Sequence, residues 1–192
     1  PEQEDVATLI SKREAFLTDY QNAAYAKKYR ALVEKVIEKE QQVDKDSNKL
    51  AMSVARYAFK LMAYKDEYEV ARLHASPSFL KKIEAEFEGD FKVIHHLAPP
   101  LLSSGEDARG RPKKRRFGPW MQTGFRILAK LKSLRGTKLD PFGYTNERKM
   151  ERELIGWYRQ EISEILPHIN QSNILHAVNV ASVPATIRGF GL

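Results

Sequence analysis

RGRPKKRRFGPWMQTGFRILAKLKSLRGTKLDPFGYTNERKMERE, residues Arg109 to Glu153, sets two basic clusters around an apolar segment and ends in a Pro-aromatic turn leading into a charged helical run. Between Arg109 and Lys138 stand eleven of the 32 basic residues and none of the 25 acidic ones, so the net charge of +7 is one patch on an otherwise mildly acidic chain. Trp120 to Leu134 has helical spacing, with Met121, Phe125, Leu128, Ala129 and Leu131 on one face and Arg126, Lys130 and Lys132 opposite. Gly136 is placed to cap that helix. Asp140-Pro141 with Gly143 defines a tight turn, and Thr145 caps a helix from Asn146 to Leu166 that Pro167 stops.

Working outward, Glu4 to Val43 carries Leu9, Ile10, Leu17, Tyr29, Val33 and Val36 at three-and-four spacing, which predicts two helices or one broken between Asp19 and Asn22. Lys49 to Leu73 has no Gly or Pro and predicts one long helix. Ser76 caps a further helix with Pro77 in its first turn, running to about Glu88. FKVIHHLAPP reads as a short strand stopped by Pro99-Pro100, paired with a second strand near Lys114 to Phe117. A last short helix holds Ile174, Leu175 and Val178. The expected fold is mainly α: a compact, single-domain bundle of about six to seven helices spanning residues 1–192, with a small two-stranded β-hairpin near residues 91–117.

At 192 residues and 42% hydrophobic, the chain is long enough for a real core. It has no cysteine, which excludes disulfides, thiolate zinc sites, iron-sulfur ligation and cysteine nucleophiles within it. No signal segment and no run of about 20 apolar residues occurs, so a soluble, cytoplasmic protein with no membrane partner is expected. The start at Pro1 without Met and the stop at Leu192 suggest an excerpt from a longer polypeptide.

Catalytic signatures are missing. His95 and His96 are adjacent on a strand and point to opposite faces, while His74, His168 and His176 lack partners at ligand spacing, so no metal site is expected. Asp66 and Glu67 diverge on a helix and do not form an acid-base pair. No Gly-rich phosphate loop, nucleophile elbow or dinucleotide fingerprint is found. The basic patch is the one functional candidate: Lys113, Lys114, Arg115 and Arg116 beside Trp120, with Arg135 further on, could hold an anion or an acidic partner. A nucleic-acid-binding helical module is a weaker alternative, since no recognition-helix signature appears.

MAYKDEYEVARL (Met62 to Leu73), HLAPPLL (His96 to Leu102), FGPW (Phe117 to Trp120), LRGTKLDPFGYTNERKMERELI (Leu134 to Ile155) and IRGFG (Ile187 to Gly191) are long blocks in a fixed order. Through them the chain resembles the C-terminal region of the large single-chain indolepyruvate ferredoxin oxidoreductases. The resemblance implies a parent enzyme that oxidatively decarboxylates aryl 2-oxoacids, forms acyl-coenzyme A and reduces ferredoxin, using thiamine diphosphate, Mg2+, [4Fe-4S] clusters and coenzyme A. The motifs for thiamine and clusters lie in earlier domains of that family. This chain would then be a non-catalytic accessory domain with no cofactor of its own, packed on the catalytic domains of the same polypeptide. Tyr64, Lys65, Asp66, Glu67, Tyr68, Arg72, Tyr144, Arg148 and Arg188 are the inter-domain surface candidates. The alternative is that the basic face docks ferredoxin or the phosphates of coenzyme A; a homo-oligomer is left open.

Overall fold

A computed structural model describes residues 5–89, 92–97 and 113–187. Among these residues the chain is mainly helical, with eight α-helices and one two-stranded antiparallel pair. It divides into two compact units: unit 1 is Pro1–Tyr64 with Asn146–Gly191, and unit 2 is Lys65–Thr145.

Unit 1 is built on apolar stripes. Helix α1 (Val6–Tyr20) starts at Asp5, whose side chain accepts from the Thr8 amide, and helix α2 (Ala23–Val43) starts at Asn22, whose Oδ1 accepts from the Tyr25 amide at 2.9 Å. Asn22 adopts extended dihedrals to make that cap, so the break falls where the polar residues compete for backbone. Against these two helices packs α3 (Lys49–Met62), which buries Leu50, Ala51, Val54, Ala55, Ala58, Leu61 and Met62. The helices α7 (Asn146–Ile165) and α8 (Ile174–Ala181) close the core on α3 with Tyr158, Ile162, Ala177 and Ala181.

Both ends of α3 are satisfied by side chains from elsewhere in unit 1. Glu40, buried on α2, accepts from the amides of Leu50 (3.0 Å) and Ala51 (2.8 Å) and from the Ser47 hydroxyl. A carboxylate at a helix N-terminus meets both orphan donors and the positive end of the dipole. At the other end, Tyr25 donates to the Met62 carbonyl and Tyr20 to the Tyr64 carbonyl. Tyr29 donates to Ala55 within the helix, and burial pushes its phenol up to about 12, which keeps the donor protonated. The tyrosines of the first two helices are therefore core residues with a polar task. Lys60 fixes the end of the described chain by donating to the carbonyls of Pro184, Ala185 and Ile187.

Unit 2 holds α4 (Glu67–Ala75), α5 (Pro77–Glu86), β1 (His95–Leu97), β2 (Arg115–Phe117) and α6 (Met121–Lys130), with a 3-10 turn at Leu131–Leu134. The long helix expected over Lys49–Leu73 is instead α3 and α4, separated at residues 63–66. Asp66 causes the restart: with extended dihedrals it caps α4, its carboxylate accepting from the Glu69 amide at 2.8 Å. The strands pair as expected, His95 opposite Phe117 and Leu97 opposite Arg115. Residues 98–112, including the Pro99-Pro100 stop, lie outside the described residues.

Candidate interaction surface

The conspicuous sequence block after α6 is a loop wound on buried charge. Arg135, 4% exposed, donates through Nε and Nη2 to the two carboxylate oxygens of Asp66, 3% exposed, at 2.5 and 2.8 Å. The guanidinium lies 5.4 Å from the Tyr68 ring centre, and Phe142 meets the same ring edge-on. Tyr68 donates to Asp140, which also accepts from the amides of Gly136 (2.7 Å) and Phe142 (3.1 Å). Burial first, then the Asp140 charge, raises the Tyr68 pKa well above the ordinary phenol value, so the hydroxyl stays a donor. A Cβ on Gly143 would stand 2.7 Å from the Asp140 carboxylate, closer than any side chain tolerates. Gly136 turns the chain at φ +72, where a left-handed residue is needed. Asp66, Tyr68, Arg135 and Asp140, the side chains that make up this network, are all buried.

Helix α6 sits on α4 through a second buried cluster. Phe125 stacks on His74 with ring centres 4.9 Å apart and meets His95 edge-on at 5.0 Å. Gln122 ties the same helix to the His74 carbonyl at 3.0 Å. His74 Nδ1 and His95 Nε2 are buried with no hydrogen-bond partner. Burial lowers the pKa of both imidazoles, and each ring's neighbour adds to the effect at His74, where the His95 and Lys65 charges also push downward. His96, next along β1, is exposed, as alternation requires.

The outer side of α6 is where the surface lies. Trp120, Ile127 and Leu131 are 65%, 58% and 43% exposed and are spaced seven and four residues apart, which aligns them in one stripe. Leu131, expected on the inner face, belongs to this outer stripe, as its four-residue spacing from Ile127 requires. Arg126 and Lys130 are exposed on the same helix. Trp120 meets Phe117 edge-on at 6.0 Å, which joins the stripe to strand β2, where Arg115 and Arg116 are exposed beside Lys113 and Lys114. Leu139 and Tyr144 are also exposed on the following loop.

The predicted site residues therefore separate. Lys113, Lys114, Arg115, Arg116 and Trp120 are at the surface, whereas Arg135 is enclosed with its charge spent on Asp66 and is not placed to take an external anion. Of the inter-domain candidates, Lys65 and Tyr144 are exposed and Asp66 and Tyr68 are internal to unit 2. Arg72 forks onto the buried Glu69 with two 2.7 Å contacts, and Glu67 is half-buried. In unit 1, Arg148 pairs with Glu151 and lies over the half-buried Tyr64 ring. Arg188 lies outside the described residues. Sequence reading missed Ile127, although its seven-residue spacing from Trp120 was visible. It also missed the burial of His95 and of the His74 Nδ1 atom, for which no local signal exists.

These features define a mainly helical chain in which helix α6 shows an apolar stripe to the outside. The chain belongs to the family of unknown function DUF6537, which matches residues 6–192. No curated protein and no solved structure matches it. Among the described residues, no group of three or more His, Asp or Glu could hold a metal ion, and no helix is long and apolar enough to cross a membrane. With no cysteine in the sequence, an iron-sulfur cluster would find no thiolate here.

Proposed function

We propose that this chain is a non-catalytic docking domain of a cytoplasmic 2-oxoacid oxidoreductase of the indolepyruvate ferredoxin type, and that unit 2 carries its contact with the catalytic domains of the same polypeptide. The enzyme class rests on the sequence resemblance. The docking role rests on one observation, the exposed Trp120, Ile127 and Leu131 stripe joined through Phe117 to a cationic strand. An apolar stripe with a basic border suits a lasting interface with an acidic-rimmed surface, since permanent interfaces are the more hydrophobic ones. Thiamine diphosphate, Mg2+, the clusters and coenzyme A would belong to those other domains.

The test supplies this chain and the remainder of the parent polypeptide as separate products. Co-purification of the two, lost with Ile127→Glu and Trp120→Ala and retained with Lys113→Ala, is the expected result. Failure of the wild-type chain to associate overturns the docking role.

The exposed cations on β2 favour a second reading, in which they dock ferredoxin or coenzyme A phosphates. Charge reversal at Lys113, Arg115 and Arg116 would then raise the KM for one of these steeply at low salt, and unchanged KM values reject it.

A further inference from the structure

Unit 1 contains a second cationic feature, and no cluster in the sequence announces it. A groove of about 540 Å3 is lined by Lys27, Lys28 and Lys35 of α2 and by Arg159, Gln160 and Ser163 of α7, with Leu32 and Gly156 among its other walls. Its charged lining residues are all positive. Three other cations of unit 1 are engaged: Arg30 pairs with Glu14 and Glu34, Arg13 donates to the carbonyls of Ala55 and Arg56, and Lys60 holds three carbonyls. Among the described residues, Lys27, Lys28, Lys35 and Arg159 form no ion pair. Four cations lining one groove with no carboxylate among the lining residues repel one another, and a bound anion would relieve that repulsion.

Gly156 is an independent sign. It lies in the interior of the 20-residue helix α7, where glycine costs about 1 kcal/mol relative to alanine. A Cβ built there would meet nothing within 4 Å, so no packing neighbour demands the glycine. Its effect is to leave the groove open down to the helix backbone.

We infer that this groove binds a small molecule bearing two or more linked phosphates. The volume falls within the usual range for small-molecule sites, about 300 to 1,000 Å3. Three ammonium groups and one guanidinium fork suit several phosphate oxygens better than one carboxylate. No aromatic residue lines the groove, so there is no platform on which the bases of a nucleic-acid strand could stack. Ser163, whose hydroxyl donates to the Arg159 carbonyl, keeps lone pairs and orientation fixed at the rim, and Gln160 is held by Glu164 at 2.8 Å. Recognition therefore falls on the phosphates, with Leu32 offering a limited apolar wall to whatever they are attached to.

Calorimetric titration of the 192-residue chain with inorganic tripolyphosphate tests this. The expected result is saturable binding of one molecule per chain, weakened on the order of ten-fold by Lys28→Ala and by Arg159→Ala. Gly156→Leu should abolish binding by filling the groove, while Gly156→Ala, with the same helix made firmer, should retain most of it. The pair Lys113→Ala and Arg116→Ala should leave the affinity within about two-fold, because those cations do not line the groove. Circular dichroism melts of each variant separate loss of the site from loss of the fold. Absence of saturable binding, equal affinity for orthophosphate, or loss of binding only in the β2 variants would overturn the assignment. So would tighter binding of a single-stranded oligonucleotide through the same four cations.

Discussion

Units 1 and 2 solve the problem of burial in opposite ways. The main apolar core, from Leu9 through Met62 and on to Ala181, lies wholly in unit 1. In unit 2 the buried apolar side chains are Tyr68, Ala71 and Phe125, and beside them are buried Asp66, Glu69, His95, Arg135 and Asp140. Unit 2 also exposes Trp120, Ile127, Leu131 and Leu139. Unit 1 also buries Glu40 and Arg148 and exposes Leu175 and Val183, but within a large apolar core; in unit 2 the buried ionisable side chains outnumber the buried apolar ones, so its interior is held mainly by polar contacts.

The largest expected effect breaks unit 2 through its ion pair. Arg135→Met leaves the Asp66 carboxylate enclosed without its fork, and removing one partner of a buried pair costs about 3 to 5 kcal/mol. The chain has two tryptophans, Trp120 in unit 2 and Trp157 in unit 1, so single-tryptophan variants report each unit separately. Denaturant melts should show the midpoint read at Trp120 falling. An Arg135→Met midpoint unchanged at Trp120 would mean that the network contributes nothing to unit 2.

Unit 1 should give way next, and for a different reason. Glu40→Ala strips the cap from α3, leaving the amides of Leu50 and Ala51 buried and unmet, at a cost of about 2 kcal/mol. Glu40→Gln keeps one acceptor and should recover part of it. Equal melts for both variants and the wild type would show that the core alone holds α3.

The two units should also part company with pH. His74 and His95 have folded pKa values below the ordinary 6.5, chiefly through burial, so the unfolded chain takes up their protons first. Their contribution is complete above pH 6.5 and is lost as pH falls from there toward the folded values. The groups facing them are Lys65, whose charge depresses His74, and the uncharged rings of Phe79 and Phe125. The histidines described in unit 1, His168 and His176, are exposed. Melts followed at Trp120 should therefore weaken on mild acidification, before carboxylates titrate near about pH 4, and His95→Phe should flatten that slope. A slope unaltered by His95→Phe would remove the cluster from the account.

What the sequence made legible follows the same division. The break at Asn22 and the β1 and β2 pairing rest on local chemistry, a side chain meeting amides three residues on and alternation beside prolines, and both were readable. The restart of α4 was missed although its signal is as local, Asp66 meeting the Glu69 amide three residues on; what no local pattern shows is the burial of Asp66 against Arg135, 69 residues away. Helical spacing through residues 49–73 gives no hint of that partner. The groove was hidden for the same reason: its cations are divided between α2 and α7 and look on each helix like ordinary solvated residues. The enzyme class is carried by blocks of resemblance, and two of these, Met62 to Leu73 and Leu134 to Ile155, supply the buried network of Asp66, Tyr68, Arg135 and Asp140.

The smallest stability effect is the most informative about the unpaired face of α6. Ile127 is more than half exposed, so Ile127→Glu should shift stability by no more than about 0.5 kcal/mol. Its added carboxylate stands three residues before Lys130, within pairing reach, and glutamate is the better helix former. If the stripe is a docking face, the same substitution should reduce concentration-dependent self-association of the isolated chain in sedimentation, because an uncovered apolar stripe seeks another copy when its partner is missing. A variant with unchanged melts and reduced association assigns the stripe to contact. A variant that melts several kcal/mol earlier would assign Ile127 to the interior of unit 2 and remove the contrast between the two units at its most exposed point.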